Sequence, residues 1–397
     1  MTTEHIVIVG GGFGGVKAAL ELAQDPHFEV TLVSDQDYFR YYPAMYHSAT
    51  GGAARLWAIP LSEIFAHRNN VQIIKARASH LDRARKQLIT KGSGAINYDK
   101  LIIAIGMVTN YFDIKGLEQN SYGVKTVEEV DRLKQHLHDQ LTKDHKPDHH
   151  YVVVGGGPTG IEVSSMLPGY LAEVMKHHGI TYKGKVHVDL IESEPRIAPR
   201  LPKDVARATA KRLRKLGVTI HTNQTVEAAT ADSLIINGKP VMSQTIIWTA
   251  GLACNTFLQD NNFKISNCRK AAVDQHLQAE DSIYVIGDNA DTPYSGVADT
   301  AVYDGRFVAN NLRRQAKGQA PKPYKPRQPI YVTPTGPYWS SVIWGKTRFY
   351  GKLGYLVRRL TDLIAYRNLQ PWWPASRRWL AVNIKEESCP ICATSLG

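Results

Sequence analysis

The run Val7-Ile8-Val9-Gly10-Gly11-Gly12-Phe13-Gly14-Gly15 decides how this chain is read. Ile6 to Val9 are apolar and β-branched, the pattern of a parallel strand buried on both faces. The strand stops in glycines at Gly10, Gly12 and Gly15, the G-x-G-x-x-G spacing, and Val16 to Ala23 continues with helical periodicity. Each glycine has a mechanical reason. The first permits the tight turn, the second lets a pyrophosphate approach the backbone, and the third lets helix and strand pack closely. A pyrophosphate here would meet the helix N-terminus, where unpaired N–H groups and the helix dipole favour an anion.

The unit recurs. Tyr151-Val152-Val153-Val154-Gly155-Gly156-Gly157-Pro158-Thr159-Gly160 repeats the strand, the glycine turn and the helix start. Two such units predict two dinucleotides held by two Rossmann-type domains. The ends of the following strands refine this. Glu29 to Val33 reads as the second strand of the first unit and is followed by Ser34 and Asp35, either of which can meet a ribose hydroxyl, although Asp35 also suits a turn. In the second unit Val186 to Ile191 ends in Glu192. A carboxylate there accepts from both ribose hydroxyls and repels a 2′-phosphate, which predicts NADH over NADPH, with Arg196 nearby to soften the preference.

Composition bounds the rest. A chain of 397 residues has room for two or three domains, and 43% hydrophobic with 21% charged content is that of a globular protein. No apolar run approaches bilayer length, and the first strand begins within a few residues of Met1, so cytoplasmic residence is the expectation. The net charge of +12 favours an anionic surface. Four cysteines, Cys254, Cys268, Cys389 and Cys392, make no disulfide framework.

Between the two units, Tyr38 to Gly52 is aromatic and reads as irregular, fit either to cover a flat ring or to pack as a loop. Val71 to Ala78 reads as a strand, followed by a charged hairpin through Lys91 to Gly94. Tyr98 to Thr109 reads as a buried strand containing Ala104-Ile105-Gly106. Glu128 to Leu141 is helical, and His145 to His150 is a polar linker whose histidines lack a metal-site pattern. An insertion through Tyr182-Lys183 delays the second strand of the second unit. Asp204 to Leu216 is a helix with a basic outer side.

The alanine–glycine step after the first unit resembles the flavin and pyridine-nucleotide oxidoreductases with two dinucleotide domains. The continuation Val108-Thr109-Asn110-Tyr111-Phe112-Asp113-Ile114-Lys115-Gly116-Leu117 resembles their type II NADH:quinone oxidoreductase branch. The resemblance implies an α/β fold with one Rossmann-like domain inserted in the other. FAD would be bound by residues 1–112 and 250–330, NADH by 113–249, and 331–397 would form a C-terminal region with an amphipathic helix. It implies FAD contacts at Gly10, Gly12, Phe13, Gly14, Gly15, Ser34, Asp35, Ala78, Ala104, Gly106, Gly287, Asp288 and Ala298, with Asp288 on the ribityl chain. For NADH it implies Gly155, Gly157, Pro158, Thr159, Gly160, Glu162, Glu192, Ala250 and Gly251, the last two closing the strand Thr245 to Gly251. Glu162 matches a glutamate that lies near nicotinamide and flavin in that family, and is the catalytic candidate. The helix from Ala298 would aim its dipole at the flavin. There the family's Ala-Gln-x-Ala-x-Gln is replaced by Ala298-Asp299-Thr300-Ala301-Val302-Tyr303, so the quinone site, at Asp299 and Tyr303, departs from the pattern.

Lys317 to Pro337 is rich in proline and lysine and reads as an exposed connection. Beyond it Leu353, Leu356, Val357, Leu360, Leu363 and Ile364 form an apolar helical stripe. Lys346, Arg348, Lys352, Arg358, Arg359, Arg367, Arg377 and Arg378 surround it, with Trp372, Trp373 and Trp379. This combination suits a helix in the interface of an anionic membrane, at the cytoplasmic face. A helix packed on the chain's own core and a homodimer contact are the alternatives; no nucleic-acid motif accompanies the charge. Cys389-Pro390-Ile391-Cys392 has no second pair with which to build a four-cysteine zinc site, and reads as an inert or accessory tail. Cys254 reads as a small buried hydrophobe.

The resulting expectation is an FAD-dependent NADH dehydrogenase passing a hydride from NADH to FAD and two electrons on to a membrane quinone, without proton pumping. The alternatives are a soluble flavin reductase serving a protein or disulfide acceptor, and a non-catalytic NADH sensor.

Overall fold

A computed structural model describes residues 3–51, 58–143, 147–181, 186–266 and 269–381. Its largest sheet has six strands, in the order Gln278–Glu280, Ile283–Val285, Lys100–Ile103, Glu4–Val9, Phe28–Ser34 and Val71–Lys75. All neighbours are parallel except the first pair. Ile6, Val7 and Ile8 are wholly buried, as a strand covered on both faces requires. The helices Phe13–Leu22 and Ala298–Ala316 cover one side of this sheet and cross closely, because a Cβ at Gly305 would strike the Gly14 carbonyl oxygen.

A second, four-stranded parallel sheet is built entirely from the chain between these strands: Val218–His221, Val188–Ile191, Tyr151–Val154 and Thr245–Trp248. Where the chain leaves and re-enters the first unit, Met107–Thr109 and Leu252–Cys254 pair antiparallel. Two parallel sheets, one nested in the sequence of the other, are the α/β architecture expected.

Several local expectations are corrected. Val71 to Ala78 is two strands, Val71–Lys75 in the main sheet and Arg77–Asp82 in a separate three-stranded antiparallel sheet, so Ala78 belongs to the latter. Tyr98 to Thr109 is likewise broken, into Lys100–Ile103 and Met107–Thr109, with Gly106 at φ +68° in the break. The aromatic stretch contains a strand, Tyr38–Arg40, and a helix, Tyr42–Ser48. The exposed connection ends earlier than Pro337, because Tyr331–Pro334 is a strand and Thr333 and Thr335 are buried. That strand joins the hairpin of Ser340–Trp344 and Thr347–Gly351, whose two-residue Gly345-Lys346 turn is a recognisable hairpin signal. Gly52, His145, Tyr182, Lys183, Cys268, Cys389 and Cys392 lie outside the described residues.

Candidate functional site

At the first glycine turn, Gly10 has φ +114°, and a Cβ there would strike the Ala104 carbonyl oxygen. A Cβ at Gly15 would strike the carbonyl oxygen of Gly10. Gly12, by contrast, has no atom of the described residues within 4 Å of its would-be Cβ, so the turn is closed below and open at the point where a ligand approaches. Phe13 is buried edge-on against Phe39, 4.8 Å between centroids, and anchors the helix start. Ser34 lies directly beneath Gly11, and Asp35 forms an ion pair with Arg40 at 3.3 Å.

Gly287 and Asp288 lie in a short 3-10 turn held from several sides. The Gly287 N–H donates to the Asp304 carboxylate at 3.0 Å, and the Ser295 hydroxyl donates to the Gly287 carbonyl at 2.9 Å. Asn289, wholly buried, accepts from the Gly106 N–H at 2.6 Å and donates to the Gly106 carbonyl at 2.9 Å, joining this turn to the break after Lys100–Ile103. The sequence reading did not single out Asn289 or Asp304. Burial raises the carboxyl of Asp288, opposed by Lys270, the Gly296 N–H and Lys125. The open Gly12, the half-buried Asp288 and an unpartnered buried ammonium at Lys125 Nζ fit the acceptors and donors of a flavin dinucleotide.

The second turn repeats the first. Gly155 has φ +110°, a Cβ at Gly160 would strike the Gly155 carbonyl oxygen, and Gly157 opens to space among the described residues. Pro158 begins the helix Pro158–His177, where a missing N–H costs nothing. Glu192 accepts from the Gly156 N–H at 2.8 Å and the Glu194 N–H at 2.9 Å. A Cβ at Gly155 would stand 2.8 Å from the Ala250 backbone nitrogen, and one at Gly251 would strike the Asn110 carbonyl. Ala250 and Gly251 are therefore held against the turn and the outgoing strand.

Glu162, one turn into the same helix, is buried, and desolvation raises its carboxyl to about 7, with Arg358 opposing and Asp362 adding to the shift. Arg358 donates to Asp362 at 2.8 Å, and Tyr41 donates to the other Asp362 oxygen at 2.6 Å while its ring packs on Tyr366. Arg358 was expected on the basic surface and is instead turned inwards. The i,i+4 spacing of Arg358 and Asp362 was the available signal.

Asp299 and Tyr303 engage the 325–327 segment: Arg327 pairs with Asp299 at 3.1 Å and the Tyr303 hydroxyl donates to the Lys325 carbonyl at 3.0 Å. Ala298 opens that helix, whose N-cap Val297 supplies no side-chain bond. Cys254 is half-buried, 3.6 Å from the Met107 sulfur, rather than buried as expected. His150 is bonded to Asp189 at 2.6 Å rather than solvated, His149 is exposed, and no metal-binding group occurs among the described residues.

The C-terminal helix Lys352–Leu369 buries Gly354, Arg359, Asp362, Tyr366 and Leu369, a largely polar face. Its leucine row points away: Leu353, Leu356, Leu360 and Ile364 are 56 to 62% exposed, and Trp372 and Trp373 in the next helix are also exposed. The stripe therefore does not pack on the described core. Four of the eight basic residues around it are committed elsewhere. Arg348 pairs with Asp204, Arg358 with Asp362, Arg378 with Glu63, and Arg359 bonds the Trp379 carbonyl and lies over its ring. Trp379 is thus held within the fold. Lys346, Lys352, Arg367 and Arg377 remain exposed. No helix among the described residues is long and apolar enough to cross a membrane.

Comparison with known proteins agrees with this geometry. Residues 4–305 match the family described as Pyridine nucleotide-disulphide oxidoreductase. The type II NADH:quinone oxidoreductase Ndh of Mycobacterium tuberculosis is 25% identical over 356 residues, covering 82% of this chain and 75% of that protein. A type II NADH:quinone oxidoreductase of Staphylococcus saprophyticus is 23% identical over 340 residues, covering 80% and 83%. Among solved structures, NDH2 from Plasmodium falciparum in complex with NADH shares the fold at a TM-score of 0.85 and 18% identity, over 98% of this chain and 99% of that one. Since the match runs from the first strand through both glycine turns into the helix after Gly287-Asp288, the chain belongs to the pyridine nucleotide-disulphide oxidoreductase family.

Proposed function

We propose that this chain is a type II NADH:quinone oxidoreductase, a flavoprotein that oxidises NADH and reduces a membrane quinone without pumping protons. The observation that carries the quinone half is the buried Glu162–Arg358–Asp362 cluster. It joins the helix that starts at the second glycine turn to the helix whose leucine row faces outwards. Arg358 acts on the Glu162 carboxyl through space, so the two helices are coupled electrostatically.

The first turn, with Ser34, Asp35, Ala78, Ala104, Gly106, Gly287, Asp288 and Ala298, holds FAD in the domain of residues 1–112 and 250–330. Residues 113–249 hold NADH through Gly155, Gly157, Pro158, Thr159, Gly160 and Glu192, with Ala250 and Gly251 contributing where the chain returns to the FAD domain. FAD supplies the hydride acceptance and electron return that no side chain here can perform. Glu162 orients the nicotinamide or carries a proton to the acceptor, its carboxyl being poised near neutrality. Asp299 and Tyr303 border the acceptor site. The exposed leucines, Trp372, Trp373 and the four exposed basic residues seat the protein on an anionic leaflet at the cytoplasmic face.

The test is anaerobic. NADH should bleach the bound flavin and a short-chain quinone should restore its colour. Bleaching without reoxidation by any quinone would leave a flavin reductase and remove the quinone assignment. Sedimentation with phosphatidylglycerol vesicles should be lost in a Leu356→Glu, Trp373→Glu variant; binding unchanged, or a dimer dissociated instead, would reassign that face.

A further inference from the structure

Lys125 lies where two well-anchored structures meet. Its backbone N–H and that of Thr126 both donate to the Glu129 carboxylate, at 2.7 and 3.1 Å, and the Glu129 N–H donates back to the Thr126 hydroxyl at 3.1 Å. This capping box starts the helix Val127–Thr142 and fixes the direction in which the Lys125 stem leaves the backbone. On the N-terminal side Tyr122 is bonded to the second sheet through Ile246 and Trp248. The lysine therefore does not belong to a loose loop.

Its ammonium is buried and makes no hydrogen bond among the described residues. A lysine nitrogen carries three donors, and leaving them dry and unpaired is costly. The nearest opposite charges, Glu129 and Asp288, act on it only through space, and burial lowers its pKa to about 8 against both. Glu129 is already occupied as the cap. Asp288 is half-buried in the 3-10 turn, and desolvation raises its carboxyl while Lys270, the Gly296 N–H and Lys125 oppose the shift. Tyr42 also feels the Asp288 charge. An ammonium and a carboxyl thus sense one another without bonding. A ligand that offers hydroxyls to the carboxylate and an acceptor oxygen to the ammonium would satisfy both. A sugar-alcohol chain ending in phosphate has that pattern.

We propose that Lys125 is a further binding residue for FAD, its ammonium donating to an acceptor oxygen of the ribityl–phosphate stretch that Asp288 engages. The inference rests on the reading that the first glycine turn holds FAD. A charge-assisted bond to a desolvated ammonium is among the stronger single contacts available. It also makes FAD affinity depend on pH, because the bound dinucleotide favours the protonated amine. Affinity is expected to be flat from pH 6.5 to 7.5 and to fall as pH rises above about 8.

The experiment measures FAD dissociation from the full-length holoprotein by the fluorescence of released flavin, between pH 6.5 and 9.5. Three chains are compared: the parent, Lys125→Met and Lys125→Arg. Lys125→Met should weaken FAD at least about tenfold at pH 7, and should flatten the alkaline decline. Lys125→Arg should retain most of the affinity and shift the decline beyond the range. Parental affinity together with a parental pH profile in Lys125→Met overturns the proposal. If Lys125→Met does not fold, a parent whose FAD affinity is constant to pH 9.5, or an arginine variant with the parent's decline, overturns it instead. A parent purified without any flavin spectrum would overturn the FAD reading itself, which is a separate outcome.

Discussion

The two glycine turns are nearly superimposable in their chemistry and differ in one residue beneath them. In both, the first glycine is left-handed, at φ +114° and +110°, the last would clash with the first glycine's carbonyl, and the middle one opens to space among the described residues. Beneath Gly11, however, lies the neutral Ser34, whereas beneath Gly156 lies Glu192, whose carboxylate accepts the Gly156 N–H. The first turn is also covered. A helix crosses it closely at Gly305, and the Gly287-Asp288 turn is clamped by Asp304 and Asn289. The second has no equivalent clamp among the described residues. A covered site with a neutral floor suits a resident prosthetic group, and an open site with a carboxylate suits a nucleotide that comes and goes.

The largest effect that breaks the symmetry is expected from the last glycine of each turn. Gly15→Ala should yield protein without bound flavin. Gly160→Ala should yield yellow protein whose flavin NADH fails to bleach, with NADH KM raised at least about a hundredfold, since a methyl group there must displace backbone. Absorbance near the flavin band and stopped-flow reduction separate the two. If both variants lose flavin equally, the assignment of one ligand to each turn is wrong.

Next comes Glu162, which exists only in the second unit's helix. Its carboxyl, held at about 7 against an ordinary 4.5, binds its proton more tightly in the folded chain than in the unfolded one. Its contribution to stability is therefore fully present below pH 4.5 and is lost as pH rises through 7. Glu162→Gln should be more stable than the parent at about pH 8, by up to about 3 kcal/mol, and no different near about pH 4. Quinone-dependent turnover should fall roughly tenfold or more, and its inflection near neutrality should vanish. Chemical denaturation at the two pH values and a pH–rate profile check both halves; a retained inflection would move the titrating group elsewhere.

The smallest effect concerns the floor residues. Glu192→Ser places the first turn's residue under the second. It should raise KM for NADH about tenfold and narrow the preference over NADPH, with kcat little changed. Steady-state kinetics with both nucleotides checks this, and an unchanged preference would transfer selectivity to Arg196, whose guanidinium is bonded to the Ala198 and Pro199 carbonyls.

Much of this was legible in the residues. Both strand–turn–helix units stand where the glycine spacing put them, and so does the helix Ala298–Ala316. The C-terminal stripe is legible as a helix, and Leu353, Leu356, Leu360 and Ile364 of its six apolar residues face outwards, which decides against a helix packed wholly on the core. Where the reading failed, the deciding partners were distant in sequence. Arg358 looks like one of a row of surface cations until Asp362 and Glu162, the latter on another helix, take its charge inside. Arg378 and Arg348 are likewise claimed by Glu63 and Asp204. Asn289 follows the conspicuous Gly287-Asp288 and attracted no notice, because its role depends on Gly106 being brought alongside it. The break at Gly106 and the division of Val71 to Ala78 were missed because apolar content marks burial and not which sheet a residue joins.

What the sequence determined by itself is whatever a short stretch enforces on its own backbone. Glycines at fixed spacing permit the turns, β-branched runs make the buried strands, and a leucine row makes a helix with one apolar side. What only the tertiary structure decided is which charges are neutralised inside and which face outwards. It also decided that Tyr41, Glu162, Arg358 and Asp362 form one cluster and that Lys125 and Asp288 act on each other through space. The physical reason is range. Backbone sterics and periodicity act over a few residues, whereas desolvation and ion pairing depend on every element packed around a group.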